Sequence, residues 1–550
     1  MMLRVDPAVQ AETTGEEIDR GCATQGGATR SGAARAKASW PATSLSTSLA
    51  SARAWWMAFA LAAAVRLLCF PFAENKQGDS PMRSLLAEHM NHQPGAGADP
   101  RNFFQYGPLP ILVMRPFLAL DPDARRSSRL PSLLAGLAVF LPFLSLARRM
   151  GATSPAALGV VGVALALGAL NVQVSTTAAS EALYLLFFVT TMDRLHAALS
   201  TRRRRDFVLA GLFGSLAAVT RYDMWLSLPA AAVAALWWGP RDRRAVADLG
   251  LFLASAALFP AAYLGWLGAR TGDPFFFAHF IQHDHATMAA AVSARLGPAL
   301  ARLRQIVIWL LAFATAMTPV PFMVLPSLFW RRPALSPATR VVLASAFAPI
   351  GVYLVQGLVL GRFEPLPRFA IVPGAVLLPV AAVRLVEERS IGAPRPAPGG
   401  PVGATAAFAV GLAALIAVLA HAGGGRIWGG AESFEAVTRL DGEDRQLARY
   451  LERNVRPEEG AFIDPFGFDD IAIAHAARIP LAHVATLAWT RTPSPTLAET
   501  RRRSYASWFA ALDWSWGKTP IPDWPTGPEG SVRFGRWRVA HYGGPGMPPR

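Results

Sequence analysis

Long apolar runs separated by short arginine clusters constrain this chain more than any other feature of its sequence. Most runs approach the roughly 20 mainly apolar residues that an α-helix needs to cross the hydrocarbon core of a bilayer. Only 16% of the residues are charged, against about 25% in an ordinary soluble domain. The pattern predicts an α-helical polytopic membrane protein with about eleven transmembrane helices. The predicted spans are 55–72, 130–147, 155–170, 181–199, 207–219, 224–238, 246–267, 306–329, 341–360, 369–385 and 402–421.

The arginine clusters predict the orientation of these spans, because positively charged loops tend to stay in the cytoplasm. With a cytoplasmic N-terminus, the cytoplasmic loops are those that hold the arginines of 148–149, 202–205, 241–244, 331–340 and 384–395. The net charge of +16 is therefore explained by the orientation of the spans in the membrane. Nucleic-acid binding is not predicted, since the arginines do not gather in one basic patch. The predicted partner of this surface is the lipid bilayer of the inner (plasma) membrane.

One cluster, Arg125, Arg126 and Arg129, falls on the outer side in this scheme. The preceding apolar segment, 108–120, is too short to span the membrane comfortably. We therefore predict that it forms a helix lying in the membrane interface. The three arginines would then face lipid phosphates.

The composition divides the chain into three parts. Residues 1–52, rich in Ala, Ser, Thr and Gly, are predicted to be a disordered cytoplasmic tail, and residues 53–424 form the transmembrane domain, with a large first outer loop at 74–129. Residues 425–550 are predicted to be a small extracytoplasmic α/β or α+β domain, with a helix at 447–454 and strands near 461–464 and within 531–542. Cys22 and Cys69 lie in separate parts, so no disulfide framework is expected.

Ionisable residues at the outer ends of the spans are the first candidates for chemistry, because charge is costly near the hydrocarbon. Asp79, in the first outer loop, could act as a general base toward a hydroxyl, or it could merely cap the following helix. Glu181 opens a span, where a carboxylate also favours the helix dipole. Arg221 and Asp223 fit either a site or a turn with a local ion pair. Arg368 fits phosphate oxygens or a helix anchored at the interface.

Three histidines, His279, His283 and His285, offer metal-ligand chemistry. The i, i+4 spacing of the first two is explained equally well by an exposed amphipathic helix. No metal site and no cofactor are predicted.

Several short motifs, taken in order, resemble the GT-C glycosyltransferases, specifically the family 39 group of dolichyl (polyprenyl)-phosphate-mannose mannosyltransferases with the bacterial aminoarabinose transferases. The resemblance covers about 55–385. Its motifs are Gly78-Asp79-Ser80 with Leu86-Ala87-Glu88-His89-Met90, Tyr106-Gly107-Pro108-Leu109, Arg129-Leu130-Pro131-Ser132, Thr220-Arg221-Tyr222-Asp223, Thr271-Gly272-Asp273-Pro274-Phe275, and Arg368-Phe369 with Pro373.

The resemblance implies an inverting membrane glycosyltransferase. It would move a sugar from a polyprenyl-phosphate-linked donor to a hydroxyl acceptor on the periplasmic or outer side. Asp79 would be the general base, and Arg368, with Arg221 and Arg83 behind it, would bind the lipid phosphate. No nucleotide sugar and no cofactor are implied.

The chain departs from the family pattern at one position, since Ser80 stands where a second acid is usual. Glu74 and Glu88 are candidate supporting acids, together with Glu181 and Asp223. Two further functions stay open: a transporter or flippase of a lipid-linked or small polar substrate, and a non-catalytic scaffold. The sugar is not predicted, and neither is the choice between a glycan, a lipid and a protein acceptor.

Overall fold

The structure, a computed structural model, describes residues 45–73, 79–92, 107–121, 123–317, 335–384, 440–463, 469–480, 483–485, 506–512 and 531–541. Most of the predicted N-terminal tail, the predicted span at 402–421 and Glu74 lie outside the described residues.

Helices form almost all of the described chain up to residue 384. In order they are α1 (Leu45–Cys69), α2 (Ser80–His92), α3 (Pro108–Leu120), α4 (Ala124–Ser127), α5 (Leu130–Ala138), α6 (Phe140–Arg149), α7 (Pro155–Leu167), α8 (Ala169–Thr176), α9 (Ser180–Thr201), α10 (Arg204–Thr220), α11 (Met224–Trp238), α12 (Arg243–Ala256), α13 (Leu258–Thr271), α14 (Phe276–Leu296), α15 (Pro298–Met317), α16 (Pro337–Leu354) and α17 (Ile371–Ala382). Short 3-10 turns at Phe70–Phe72 and Pro367–Ala370 and a π-helical turn at Val355–Val359 extend α1, α17 and α16.

Four continuous helices among the described residues are long and apolar enough to cross a membrane, or up to six if each of two bent pairs is one span. The four are Ala50–Phe72, Arg125–Arg149, Ser180–Thr201 and Pro337–Val359. Each coincides with a predicted span. The predicted total of about eleven stays a prediction.

Two segments predicted as single spans are broken helices. α7 and α8 meet at 51°, and α12 and α13 meet at 43°. At the first break, the buried Arg66 donates a hydrogen bond of 3.1 Å to the Ala166 carbonyl, which satisfies backbone that lipid could not. At the second, Pro260 has no N–H and its ring opposes the helix carbonyl four residues earlier, while the Ser215 hydroxyl accepts from the Phe259 amide at 2.8 Å.

Arg129 corrects one expectation from the sequence. Its guanidinium is buried and donates to the carbonyl oxygens of Phe70 and Ala73, both at 2.7 Å, and of Thr176 at 3.2 Å. It therefore joins the ends of α1 and α8 to the start of α5. The prediction that Arg129 faces lipid phosphates is wrong, because open carbonyls inside the protein occupy its donors.

The described residues after 440 form a mixed sheet with two helices. These elements are α18 (Gly442–Asn454), β1 (Gly460–Ile463), α19 (Asp469–Ala476), β2 (Val484–Ala485), β3 (Ala506–Leu512), β4 (Val532–Phe534) and β5 (Trp537–His541). The strand order is β2-β1-β3-β5-β4, with β1 parallel to both neighbours and β5 antiparallel to both of its own. The helix and strands expected at 447–454, 461–464 and 531–542 fall on α18, β1 and the β4–β5 hairpin.

This C-terminal sheet shares one apolar core with α2 and α3, which fall in the predicted first outer loop. Leu85 of α2 and Ile111 of α3 are fully buried in the same cluster as Ile473 of α19. Because α2 begins directly after Asp79, the C-terminal packing fixes the helix that follows this carboxylate.

Gly107 brings α3 into direct contact with the turn after α10. A Cβ atom added at Gly107 would lie 2.4 Å from the carbonyl oxygens of both Val219 and Thr220. Those carbonyls immediately precede Arg221. The close approach gives the glycine of the Tyr106–Leu109 motif a physical reason, since any side chain would push α3 away from this turn.

We predict that Gly107→Ala lowers the free energy of unfolding by about 1–3 kcal/mol, because the added methyl group meets backbone that cannot yield. Gly250→Ala is the matched control. Nothing lies within 4 Å of its added Cβ, and alanine is favoured over glycine inside a helix by about 1 kcal/mol. Thermal unfolding of the purified protein in detergent measures both variants. Equal shifts would contradict the close contact.

Candidate active site

Six charged side chains from four separate parts of the chain form one connected network of ion pairs. We call it the ionic cluster, and its members are Asp79, Arg83, Glu181, Arg221, Asp223 and Arg368. All six are site candidates that the sequence offered separately. The helix ends and the loop that carry them meet at one point, and the sequence suggested this only by predicting all of them on one side of the membrane.

Arg368 joins the two halves of the ionic cluster. It lies in the 3-10 turn that leads into α17. Its Nη2 lies 3.3 Å from Asp79 Oδ2, and its Nε lies 3.6 Å from Glu181 Oε1. One guanidinium thus connects the first outer loop with the start of α9.

Asp79 is the most accessible carboxylate of the ionic cluster. Its side chain is 19% exposed, against 1% for Glu181. Arg83, one helical turn later and almost fully buried, lies 3.2 Å from the same Oδ2 atom that faces Arg368. Asp79 is therefore held between two guanidiniums and still open to solvent on one side.

Arg221 holds the second half of the cluster. Its Nη1 donates to Glu181 Oε1, and its Nε donates to Asp223 Oδ2 at 2.7 Å. The local ion pair considered from the sequence is present, but it is only one side of a longer network. Asp223 also accepts a hydrogen bond from the Tyr353 hydroxyl. Tyr353 was missed, and its only signal was one phenol within the apolar run of α16.

A small cavity adjoins the cluster, with Arg221 and Arg368 on its polar side and Tyr184, Phe369 and Pro373 among its apolar walls. Its volume is about 10 Å³, which is room for about one water molecule. The Arg221 guanidinium carbon lies 5.5 Å from the Phe369 ring centre, within the range of a cation–π contact. A group larger than a water molecule can enter only if side chains here move apart.

Of the two substitutes considered for the missing second acid, only Glu88 can be placed, and it is not in the cluster. Glu74 lies outside the described residues. Glu88 lies nine residues beyond Asp79, roughly 13 Å along the helix axis, and pairs with His92 at 2.9 Å. Burial raises the pKa of the Glu88 carboxyl, and the His92 contact opposes that rise. Ser80 itself is 1% exposed, so an acid at this position would be buried at a cost.

The three histidines do not converge. His279 Nδ1 lies 2.9 Å from Asp273 Oδ2, whereas His285 stacks on Phe363 with ring centres 4.4 Å apart. Among the residues that the structure describes, no group of three possible ligands could hold a metal ion.

The chain is similar to known proteins both in sequence and in structure. Residues 105–266 match the family model described as dolichyl-phosphate-mannose-protein mannosyltransferase. The structure of ArnT from Cupriavidus metallidurans bound to undecaprenyl phosphate is similar over 88% of this chain and 97% of that one, with 15% identity and a TM-score of 0.56. Its apo state is similar over 89% and 98%, with 15% identity and a TM-score of 0.53.

The chain has the GT-C fold. The resemblance inferred from the motifs is thereby confirmed. The matched segment contains the motifs around Gly107, Arg129 and Arg221, while Asp79 and Arg368 lie outside it. None of the curated proteins matches the chain significantly by sequence.

We predict that Glu181→Gln lowers the free energy of unfolding by about 3 kcal/mol, because it removes the buried charge shared by Arg221 and Arg368. Glu452→Gln is the matched control. That carboxylate is 37% exposed and pairs with Arg478, so its loss should cost less than about 1 kcal/mol. Thermal unfolding compares the two. A Glu181→Gln shift no larger than the control would show that the cluster does not stabilise the fold.

Proposed function

We propose that this chain is a membrane glycosyltransferase that moves a sugar from a polyprenyl-phosphate-linked donor to a hydroxyl acceptor, with inversion at the anomeric carbon. The observation that carries the proposal is the contact of Asp79 with Arg368 at 3.3 Å. It places a candidate general base beside a candidate phosphate-binding cation. The GT-C fold, the family match and the undecaprenyl phosphate named for the similar ArnT structure support the same chemistry.

The arginines of the ionic cluster are suited to the leaving group. Breaking the bond from the anomeric carbon to the phosphate oxygen leaves negative charge on the lipid phosphate. Guanidiniums fixed in advance in a site with little water stabilise such charge strongly. Arg368 has the main role, since it lies beside Asp79, and Arg221 and Arg83 supply further positive charge on either side.

Asp79 acts on the acceptor. In the structure, both Arg83 and Arg368 hold its Oδ2 atom. When Arg368 turns to the donor phosphate, this hold is relaxed. The acceptor oxygen then attacks the anomeric carbon, its proton passes to Asp79, and the polyprenyl phosphate leaves with the bonding electrons.

The placement of charge favours this reaction over transport. Glu181 begins α9, Arg221 follows α10, and Arg368 precedes α17. In secondary transporters, by contrast, the substrate and coupling-ion sites lie near the bilayer midplane, where discontinuous helices are broken. With the N-terminus in the cytoplasm, the cluster and the C-terminal sheet belong to the outer side of the inner membrane, where the acceptor, a glycan, lipid or protein hydroxyl, would be met.

We predict that Asp79→Asn lowers sugar transfer by 10²–10⁴-fold, the range for loss of a general base. Purified protein is assayed with a panel of radiolabelled polyprenyl-phosphate sugars and with membrane extract as acceptor. Asp242→Asn is the control, because Asp242 is an exposed aspartate that caps α12 and asparagine caps equally well. Its transfer should equal that of the wild type.

Arg368→Gln tests the phosphate-binding role. It should also abolish transfer, while Arg244→Gln, at an arginine 65% exposed, should not. Transfer that survives in Asp79→Asn would refute the assignment of the base. If the protein moved lipid-linked sugar across the membrane of vesicles without transferring any sugar, that result would refute the proposed transferase activity and favour a flippase.

A further inference from the structure

A second cavity lies at the opposite end of α9 from the ionic cluster. Its volume is about 420 Å³, within the usual range of small-molecule sites. His196 and Ser200 of α9 line it. They lie 15 and 19 residues after Glu181, so roughly 22–28 Å separates the two sites along the helix axis. The cavity therefore has no part in the transfer chemistry proposed above.

Arg149 provides a cation on the cavity wall. Its Nε lies 3.0 Å from Asp193 Oδ1. Its two terminal nitrogens make no hydrogen bond to the described residues, and its side chain is 36% exposed. The salt bridge thus orients the guanidinium and leaves its outer edge available for an anion.

His196 gives the polar wall of the cavity a hydrogen-bonding atom without a partner among the described residues. The residue is only 5% exposed, and its Nε2 lies 3.3 Å from the Thr339 hydroxyl. Its Nδ1 is buried with no hydrogen-bond partner among the described residues. An unsatisfied buried polar atom is unfavourable, and a polar ligand that reached this nitrogen would remove the cost.

The start of α16 adds positive potential. Ser336 caps this 18-residue helix by accepting from the Thr339 amide at 3.1 Å, and Pro337 and Ala338 line the cavity. Helix N-termini favour anions. Arginines are also concentrated at this end of the helices, among them Arg148, the run at 202–205, Arg241 and Arg340.

The remaining wall is apolar. Leu199, Ala235 and Val341 line it, and Trp238 stands beside them, 37% exposed. Tryptophan commonly lies at the level of lipid head groups. A ligand that satisfies both walls carries an anionic group for Arg149 and hydrocarbon for the apolar side.

We propose that this cavity is a second ligand site, which binds the phosphate of an anionic lipid head group with Arg149, His196 and the N-terminus of α16 as its polar contacts. Inorganic phosphate shares the anionic chemistry but lacks the hydrocarbon. The two sources are therefore distinguished by whether acyl chains are needed.

The test is calorimetric titration of the purified full chain with dihexanoyl phosphatidylglycerol below its critical micelle concentration, beside inorganic phosphate. We expect one lipid bound per chain. Binding should be at least ten-fold weaker in Arg149→Gln and unchanged in Arg148→Gln, an exposed neighbour with the same change of charge that does not line the cavity. Ala338→Leu, which narrows the cavity at the start of α16 without changing charge, should also weaken binding at least ten-fold.

Ala338→Leu keeps the test decisive if Arg149→Gln fails to fold once Asp193 loses its partner. Binding of phosphate alone, with the same dependence on Arg149 and on cavity volume, would support the site and assign it to the free ion. Equal loss in Arg148→Gln and Arg149→Gln would overturn the proposal in favour of diffuse surface attraction. So would lipid binding that Ala338→Leu leaves unchanged.

Discussion

The bridge that Arg368 makes between Asp79 and Glu181 is the interaction on which the rest of the site depends. It joins a residue of the first outer loop, a residue at the start of α9 and a residue before α17. A guanidinium can hold two carboxylates at once because its donors form a planar fork. A lysine offers only a point charge, so it could not hold the same geometry. The bridge also explains why a cluster with so much charge can lie at low exposure, since each guanidinium faces at least one carboxylate.

Two packing contacts hold the ionic cluster in place. The C-terminal sheet packs α19 against α2, which fixes the helix that follows Asp79. The glycine before α3 allows that helix to rest on the carbonyls before Arg221. Opening of the small cavity for the proposed donor would therefore come from side chains such as Arg368 and Phe369. The core around α2 and α3 is too closely packed to yield without cost.

The sequence predicted helix positions well and tertiary detail poorly. The lengths of the apolar runs predicted the ends of α9 and α11 to within two residues, because a span must match the thickness of the bilayer. The breaks after α7 and α12 were missed, since they depend on Arg66 and Ser215 reaching backbone from other helices. Arg129 was predicted to face lipid because its place in the sequence indicates a side of the membrane but does not indicate whether the side chain is buried. Five of the six charged residues were found singly by their cost near a membrane, and Arg83 was found only through the family resemblance. Tyr353 and His196 were not found, because one polar ring inside an apolar run gives no distinct pattern.

The most direct test of the account is the affinity of the purified protein for polyprenyl phosphate, the released carrier, in the wild type, Asp79→Asn and Arg368→Gln. If Arg368 is shared between Asp79 and the phosphate, removing the Asp79 charge frees the guanidinium. Asp79→Asn should then bind the carrier several-fold more tightly although it no longer transfers sugar, and Arg368→Gln should bind it at least ten-fold more weakly. Carrier affinity that neither substitution changes would contradict the exchange of Arg368 between carboxylate and phosphate.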